Sequence, residues 1–205
     1  MMYARSTTIS GDPAGIDDGI SFVRDEVMPA IVEVDGCLGL SLVVDRDHGR
    51  IIATSSWDSQ EAMAASRDQL APMRTRGGEI LGGSPEIQEW EVAVMHRDHP
   101  THDGACCRIT WGRPGDLDAM LELWRSTLLP QIEAFEGFCS ASMLIDRDAG
   151  VMCGTVTFDS RAALEASREH AAEMRERAAA ETGTEFLDVA EFDLVIAHLR
   201  VPEQV

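Results

Sequence analysis

The feature that most constrains the fold of this chain is an internal repeat. Shifting the 205-residue sequence against itself by 101 positions aligns residues 29–74 with residues 130–175 without a gap, and 18 of these 46 positions are identical. Unrelated sequences of ordinary composition would match at roughly three positions. An Asp-Arg-Asp triplet at residues 45–47, for example, recurs at residues 146–148. The chain therefore encodes one unit of about a hundred residues twice.

A short polar segment separates the two copies. Residues 96–104, His-Arg-Asp-His-Pro-Thr-His-Asp-Gly, contain proline and glycine and show no hydrophobic periodicity, which is typical of a linker. We predict domains at residues 1–98 and 105–205, joined by a linker at residues 99–104. Three histidines, His96, His99 and His102, have a spacing that would suit a metal site, but Pro100 prevents the regular helix that would place them on one face. A solvated linker without metal is the favoured interpretation.

Hydrophobic periodicity predicts the same elements in each copy, in the order strand, helix, strand, strand, helix, strand. Pro29 is expected to kink or shorten the first helix, and Gly77-Gly78 to end the second. The predicted elements are Tyr3–Ile9, Ile16–Val34, Cys37–Val44, Arg50–Trp57, Asp58 or Ser59 to about Arg76, and Gln88–Met95 in the first copy, and Ala105–Thr110, Pro114–Phe135, Phe138–Ile145, Val151–Phe158, Ser160–Thr182 and Val189–Arg200 in the second.

Charge and composition exclude several classes of partner. Thirty-six acidic and 17 basic side chains give a net charge of -19, which repels nucleic acid and anionic lipid headgroups. The longest apolar stretch without charge, Gly36–Val44, is far shorter than the ~20 residues of a membrane helix. The amino terminus lacks a signal-peptide core, and the 5 cysteines fit reduced thiols better than a disulfide framework. We expect a cytoplasmic protein that binds neither nucleic acid nor membranes.

A β-α-β-β-α-β unit forms a four-stranded antiparallel sheet with both helices on one face, and its other face needs a partner. Residues 56–62, Ser-Trp-Asp-Ser-Gln-Glu-Ala, resemble the strand–helix junction of the antibiotic biosynthesis monooxygenase family, and residues 158–163 repeat this junction. That resemblance implies an α+β fold in which two tandem ferredoxin-like units form an intramolecular dimeric α/β barrel. Because this pseudo-dimer lies within one chain, we expect a monomer or a homodimer.

The resemblance also implies a function. It favours a cofactor-free monooxygenase that acts on a small hydrophobic aromatic molecule, such as a phenol or quinol, without metal. Of the pocket residues expected in such relatives only Trp57 matches, because the chain contains no Asn and Tyr3 is its sole tyrosine. The alternative is a non-catalytic protein of the same fold that binds a small ligand. Haem binding with degradation is less favoured, because Arg67 and Arg168 stand where such relatives place a histidine.

Two side chains are predicted to be catalytic. Trp57, at the junction, would form an aromatic wall for a flat substrate, and its alternative role is core packing at the end of the sheet. His170, near the sheet-facing stripe of a helix, would act as a general base, with a half-exposed structural histidine as the alternative.

Four further side chains are predicted to bind the substrate. Arg67 and Arg168 would bind an acidic or phenolate group, unless they pair with neighbouring carboxylates. Trp111 and Phe158 would line the pocket of the second copy. At the same 101-residue shift Trp57 aligns with Phe158, Gln69 with His170 and Ser6 with Cys107, so the copies differ where a ligand would contact them, and we expect only one copy to work. Trp57 favours the first copy, and His170 with Trp111 favours the second.

Overall fold

The computed structural model describes residues 1–199 and 202–203, and it confirms the predicted order of elements. The predicted end of the last strand, at Arg200, lies outside the described residues. The strands are β1 (Tyr3–Ser10), β2 (Cys37–Asp45), β3 (Arg50–Trp57), β4 (Glu86–Arg97), β5 (Cys106–Arg113), β6 (Phe138–Asp146), β7 (Val151–Phe158) and β8 (Glu185–Leu199). The helices are α1 (Ile16–Phe22, Val23–Val27 and Met28–Val32), α2 (Gln60–Leu81), α3 (Leu117–Leu123, Trp124–Leu128 and Leu129–Glu133) and α4 (Arg161–Ala166 and Arg168–Thr182).

Each copy forms the antiparallel sheet expected of a ferredoxin-like unit. In the first, β3 lies between β1 and β2, and β1 also pairs with β4. In the second, β7 lies between β5 and β6. The complete strand order, β1-β3-β2-β8-β5-β7-β6-β4, is that of a closed eight-stranded barrel. The predicted α+β fold of two tandem ferredoxin-like units is confirmed.

Two compact units can be distinguished by their packing. Unit 1 comprises Met1–Glu91 with the described part of Asp193–Val201, and unit 2 comprises Val92–Phe192 with the described part of Pro202–Val205. Strands β4 and β8 therefore each contribute residues to both units. The domains inferred from the repeat, residues 1–98 and 105–205, remain a prediction. No helix in the described ranges is long and apolar enough to cross a membrane.

The first helix of each copy contains a π-helical turn, Val23–Val27 in α1 and Trp124–Leu128 in α3. The residue after each turn bonds back across five positions, as the Met28 N–H does to the Val23 carbonyl. Pro29 follows directly, in the first turn of the closing α-helical segment, where its missing N–H needs no acceptor. The helix therefore continues past Pro29 to Val32.

The predicted end of α2 at Gly77-Gly78 is wrong. The helix continues to Leu81 and ends at Gly82, whose φ of 69° is in the left-handed region. Gly77 and Gly78 are buried, and a Cβ on Gly78 would lie 2.6 Å from the Gly83 carbonyl oxygen. Gly78 therefore permits a close approach of the chain, and the two glycines do not terminate the helix.

Candidate functional site

Each unit encloses a cavity between its helices and the helix-facing side of its sheet. The first cavity, in unit 1, measures about 70 Å³, and the second cavity, in unit 2, about 60 Å³. Since roughly 10–15 Å³ is enough for one water molecule, either cavity has room for a small organic molecule. Both are lined mainly by apolar side chains, and each also has two arginines, Arg5 and Arg74 in the first and Arg108 and Arg175 in the second.

One arginine of each pair is held in a buried polar cluster. In unit 2 the Arg108 guanidinium donates to the Ser167 hydroxyl at 2.9 Å, the Leu164 carbonyl at 2.9 Å and the Glu191 carboxylate at 3.0 Å. Arg168 donates to the same carboxylate at 2.7 and 3.0 Å. We call this set the Arg108 cluster. It joins β5, α4 and β8 within unit 2.

Unit 1 repeats this arrangement around Arg5. The Arg5 guanidinium donates to the Ser66 hydroxyl at 2.8 Å, the Met63 carbonyl at 2.5 Å and the Glu89 carboxylate at 2.9 Å, and Arg67 donates to Glu89 as well. Arg5 and Arg108 are thus structural equivalents, although they lie 103 residues apart in the sequence. The loop between β5 and α3 is two residues shorter than the loop between β1 and the start of α1 at Ile16. The 101-residue alignment of Ser6 with Cys107 is therefore wrong for the first strands.

The carboxylate of the Arg108 cluster is held in its ionised form. Burial is the largest single influence and favours the neutral acid, but the hydrogen bonds from Arg168 and Arg108, together with their charges, outweigh it. The pKa of Glu191 is therefore below its usual value. Glu191 therefore faces both Arg108 and Arg168 as a carboxylate and offsets part of their positive charge.

The second arginine of the second cavity has no such partner. Arg175 is half-buried, and it makes no hydrogen bond or ion pair with any residue that the structure describes. Burial, followed by the charge of Arg108, lowers the pKa of its guanidinium. A half-buried cation without a partner favours an anion beside it.

One wall residue of the second cavity carries another donor without an acceptor. Trp124 lines this cavity and is 7% exposed, and its Nε1–H is the buried side-chain polar group that finds no partner in the described ranges. A buried donor left without an acceptor costs roughly 1–3 kcal/mol. A ligand oxygen that reached Nε1 after a small rotation of the indole would remove this cost.

The first cavity does not reproduce this pair of donors. Arg74 bonds with the carbonyl of Arg67 in its own helix, and Val23 occupies the position that corresponds to Trp124. The residue opposite Trp124 also differs, since Gly154 in unit 2 corresponds to an alanine in unit 1. A Cβ on Gly154 would lie 3.2 and 3.3 Å from two atoms of the Trp124 ring, so the glycine makes space for the indole.

The structure separates the two residues predicted to be catalytic. Trp57 is fully buried in the core of unit 1, outside the lining of the first cavity, and its Nε1 donates to the Ser55 hydroxyl at 3.0 Å. Ser55 does line that cavity, so the contact of Trp57 with it is indirect. His170 is exposed, and its ring lies edge-on to Phe135, a wall residue of the second cavity, with centroids 5.6 Å apart. Their catalytic roles remain predictions.

Of the four predicted substrate-binding residues, one lines a cavity. Phe158 is fully buried and forms part of the wall of the second cavity. Trp111 points to the opposite face of β5, because it alternates with the cavity residues of that strand, and it packs edge-on against Phe192. Arg67 and Arg168 are exposed and lie outside both linings. Their pairing with carboxylates was the alternative that the sequence left open.

Sequence reasoning missed the residues that now define the candidate site, Trp124 and Arg175. Arg175 had a signal, because a Met-Arg pair recurs in both copies at residues 73–74 and 174–175. Trp124 had none, since the first copy has valine at its position and an amphipathic helix accommodates tryptophan as ordinary packing.

The strand order and the two ferredoxin-like sheets define the dimeric α/β-barrel class, here with both halves in one chain. Among solved structures, the protein FN1347 of Fusobacterium nucleatum is similar, with a TM-score of 0.69 and 12% identity over 94% of this chain and 91% of that one. An anthrone oxidase-like protein gives a TM-score of 0.65 and 15% identity over 95% and 92% of the two chains. At these identities the likeness concerns the fold.

Sequence comparison identifies the family. Residues 22–71 match the family model described as antibiotic biosynthesis monooxygenase. Two uncharacterized proteins of Mycobacterium tuberculosis H37Rv, Rv2558 and Rv2557, are each 51% identical to this chain, over 100% of its length and 88% and 92% of theirs. The chain belongs to the antibiotic biosynthesis monooxygenase family, and its unit of about a hundred residues occurs twice in the chain.

Proposed function

We propose that the second cavity binds a small apolar molecule bearing an acidic oxygen, such as a phenol, and that the protein is a monooxygenase-type enzyme that oxidises it with dioxygen. One observation carries this proposal. Two residues that line the same apolar cavity, Trp124 and Arg175, each carry a donor group without a partner in the described chain. An oxyanion held by both donors would satisfy them, while the aromatic wall that includes Phe135 and Phe158 would contact a flat ring.

The chemistry needs no cofactor if the substrate itself supplies the electrons. Ionisation of a phenol or enol transfers electron density to carbon, and Arg175 would stabilise the resulting anion. For a ring methylene the overall change is CH2 + O2 → C=O + H2O, in which the carbon loses four electrons and dioxygen gains them. His170, against Phe135, is the predicted base for the proton of the substrate.

A second candidate function is ligand binding without turnover. Apart from Trp124, the side chains with hydrogen-bonding groups that line the second cavity in the described chain are Arg108, Thr110 and Arg175. None of these is a base suited to taking a proton from a phenol near neutral pH. A binding protein would need only the two donors.

The test is a titration with a panel of polycyclic phenols and aromatic carboxylates, following tryptophan fluorescence and ligand absorbance, first under argon and then in air. We expect R175M to weaken binding at least tenfold, because it removes the charge that faces the ligand. W124F should remove most of the fluorescence change. The matched control is R74M, which removes the equivalent arginine of unit 1.

The outcomes separate the two candidates. Oxygen uptake with a slow spectral change in air, reduced in H170A, supports the monooxygenase. Binding under argon and in air with an unchanged ligand supports the binding protein. Equal effects of R74M and R175M, or no binding by any member of the panel, would overturn the assignment to the second cavity.

A further inference from the structure

A second group of reactive side chains lies in unit 2, and none of its members lines the second cavity. It consists of His99, Cys139 and Asp159, whose ligand atoms all lie within 4.8 Å of one another. The His99 Nε2 is 3.0 Å from the Asp159 carboxylate, and the Cys139 Sγ is 3.1 Å from the same oxygen. Imidazole, thiol and carboxylate are the three side-chain groups that most often bind zinc.

The backbone holds these three residues in place. Cys139 lies at the start of β6, and its carbonyl accepts hydrogen bonds from the N–H groups of Asp98 at 2.9 Å and His99 at 3.5 Å. Asp159 directly follows β7, and its N–H donates to the Gly137 carbonyl at 2.8 Å. The polar segment between the two copies is therefore hydrogen-bonded to β6, and this brings His99 close to the Cys139 thiol.

The orientation of His99 is that of a metal ligand. Its Nδ1 bonds with the Asp98 carboxylate at 2.9 Å, which directs Nε2 to the side of Asp159 and Cys139. Histidines that bind metals usually donate their other ring N–H to a carboxylate or carbonyl in this way, which fixes the ring and its tautomer. His96 and His102 take no part in the group: His96 pairs with Glu133, and His102 stacks against the ring of His99.

The thiol of the group is protonated in the absence of metal. Burial above all, with the hydrogen bond to Asp159 next, raises the pKa of Cys139 to about 12. The hydrogen bonds with Asp98 and Asp159 raise the pKa of His99. A cation that binds here would therefore have to displace these protons.

We propose that His99, Cys139 and Asp159 form a binding site for a divalent transition metal of the zinc type. Tetrahedral zinc, with Zn–S of ~2.3 Å and Zn–N of ~2.0 Å, separates sulfur from nitrogen by ~3.5 Å, so small side-chain movements suffice. On binding, the S–H bond of Cys139 breaks, its proton leaves to solvent and a sulfur–metal bond forms, without oxidant or reductant. With three protein ligands, one tetrahedral position is left for water or a small molecule.

The first copy provides a matched control. Asp58 occupies the position of Asp159, but Leu38 stands at the position of Cys139, so the described part of unit 1 has no equivalent group. The variant D58N therefore removes the same charge from the surface of the chain without touching the proposed site. The variant C37S similarly removes a half-buried thiol of unit 1.

Cobalt is the probe, because tetrahedral thiolate-bound Co2+ absorbs in the visible and shows sulfur-to-metal charge transfer. The protein is stripped with EDTA, titrated with CoCl2 and then with ZnCl2, which should displace the cobalt. We expect saturation at one Co2+ per chain, loss of the charge-transfer band in C139S, and at least tenfold weaker binding in D159N and H99Q. D58N and C37S should bind like the wild type.

Two results would overturn the proposal. The first is cobalt binding without a charge-transfer band in the wild type. The second is equal weakening in D58N and D159N, which would place the cation on the acidic surface of a chain with a net charge of -19. Cys139 is fully buried, so C139S has to pass a check of folding by circular dichroism. If C139S does not fold, the cobalt titrations of D159N and H99Q test the proposal instead. The side chains of Asp159 and His99 are 38% and 33% exposed, so these two substitutions disturb the fold less.

Discussion

Removing the charge of Glu191 should destabilise the protein strongly at neutral pH. The side chain of Arg108 is only 6% exposed and that of Glu191 is 20% exposed, so the pair is largely shielded from water. In E191Q an amide keeps the shape and one acceptor oxygen, but the negative charge facing Arg108 is lost. Breaking a buried pair by removing one partner typically costs 3–5 kcal/mol. Since glutamine can still accept a hydrogen bond and the site is partly exposed, we expect about 3 kcal/mol.

The measurement is urea unfolding at pH 7, followed by circular dichroism and by tryptophan fluorescence. The control is E79Q, which removes one carboxylate from the Arg76–Glu79 pair, whose side chains are 62% and 59% exposed. An exposed pair of this kind contributes at most about 1 kcal/mol, so E79Q should unfold close to the wild type. A penalty for E191Q no larger than that for E79Q would refute the reasoning.

The pH dependence gives a second, independent check. The pKa of Glu191 is lower in the folded protein than its ordinary value. Its ionised form therefore stabilises the fold fully above the ordinary glutamate pKa, about 4.3, and this contribution is lost as the pH falls through the lower folded value. The difference between wild type and E191Q should shrink over that acidic range. A difference that stays constant down to acid unfolding would contradict a charge-based origin.

Two further substitutions test local features of unit 2. G154A should push the Trp124 ring away from its present position and cost about 1–3 kcal/mol, since a Cβ there would lie 3.2 Å from the ring. An unchanged near-ultraviolet circular dichroism spectrum with unchanged stability would count against this packing. S160A should lower the free energy of unfolding by about 1 kcal/mol. The Ser160 hydroxyl accepts a hydrogen bond of 3.2 Å from the Ala163 N–H and so caps the start of α4. Thermal unfolding measures this loss, and an unshifted melting temperature would argue against the cap.

The element order and the barrel class were predictable because they depend on local patterns that occur twice. A repeat of strand, helix, strand, strand, helix, strand leaves few topologies open, and the junction residues narrow them to one family. Errors arose where tertiary packing overrides local preference. Gly77 and Gly78 are helix breakers by propensity, yet they lie inside α2, and the chain approaches Gly78 too closely for a side chain.

The candidate site was less predictable because its residues come together only in the folded chain. Arg108 and Glu191 lie 83 positions apart in the sequence, and each has many possible partners among 17 basic and 36 acidic residues. A two-residue difference between the loops after β1 and β5 also hid the equivalence of Arg5 and Arg108. The proposed role of Trp124 depends on the lack of a hydrogen-bond acceptor for its Nε1–H. This lack can be recognised only when the positions of all neighbouring atoms are known.

Comparison of the two copies separates features that both units share from features of unit 2 alone. Both copies contain the buried arginine clusters, with the same donors, the same helix serine and the same strand glutamate, so these clusters serve a need that each unit has by itself. The Trp124–Gly154 pair and the group around Cys139 occur in one copy only, although the surrounding fold is the same. A feature that one unit folds without is not required by the fold. The proposed ligand and the proposed metal would each use such a feature, and R74M and D58N provide the controls for both proposals within the same protein.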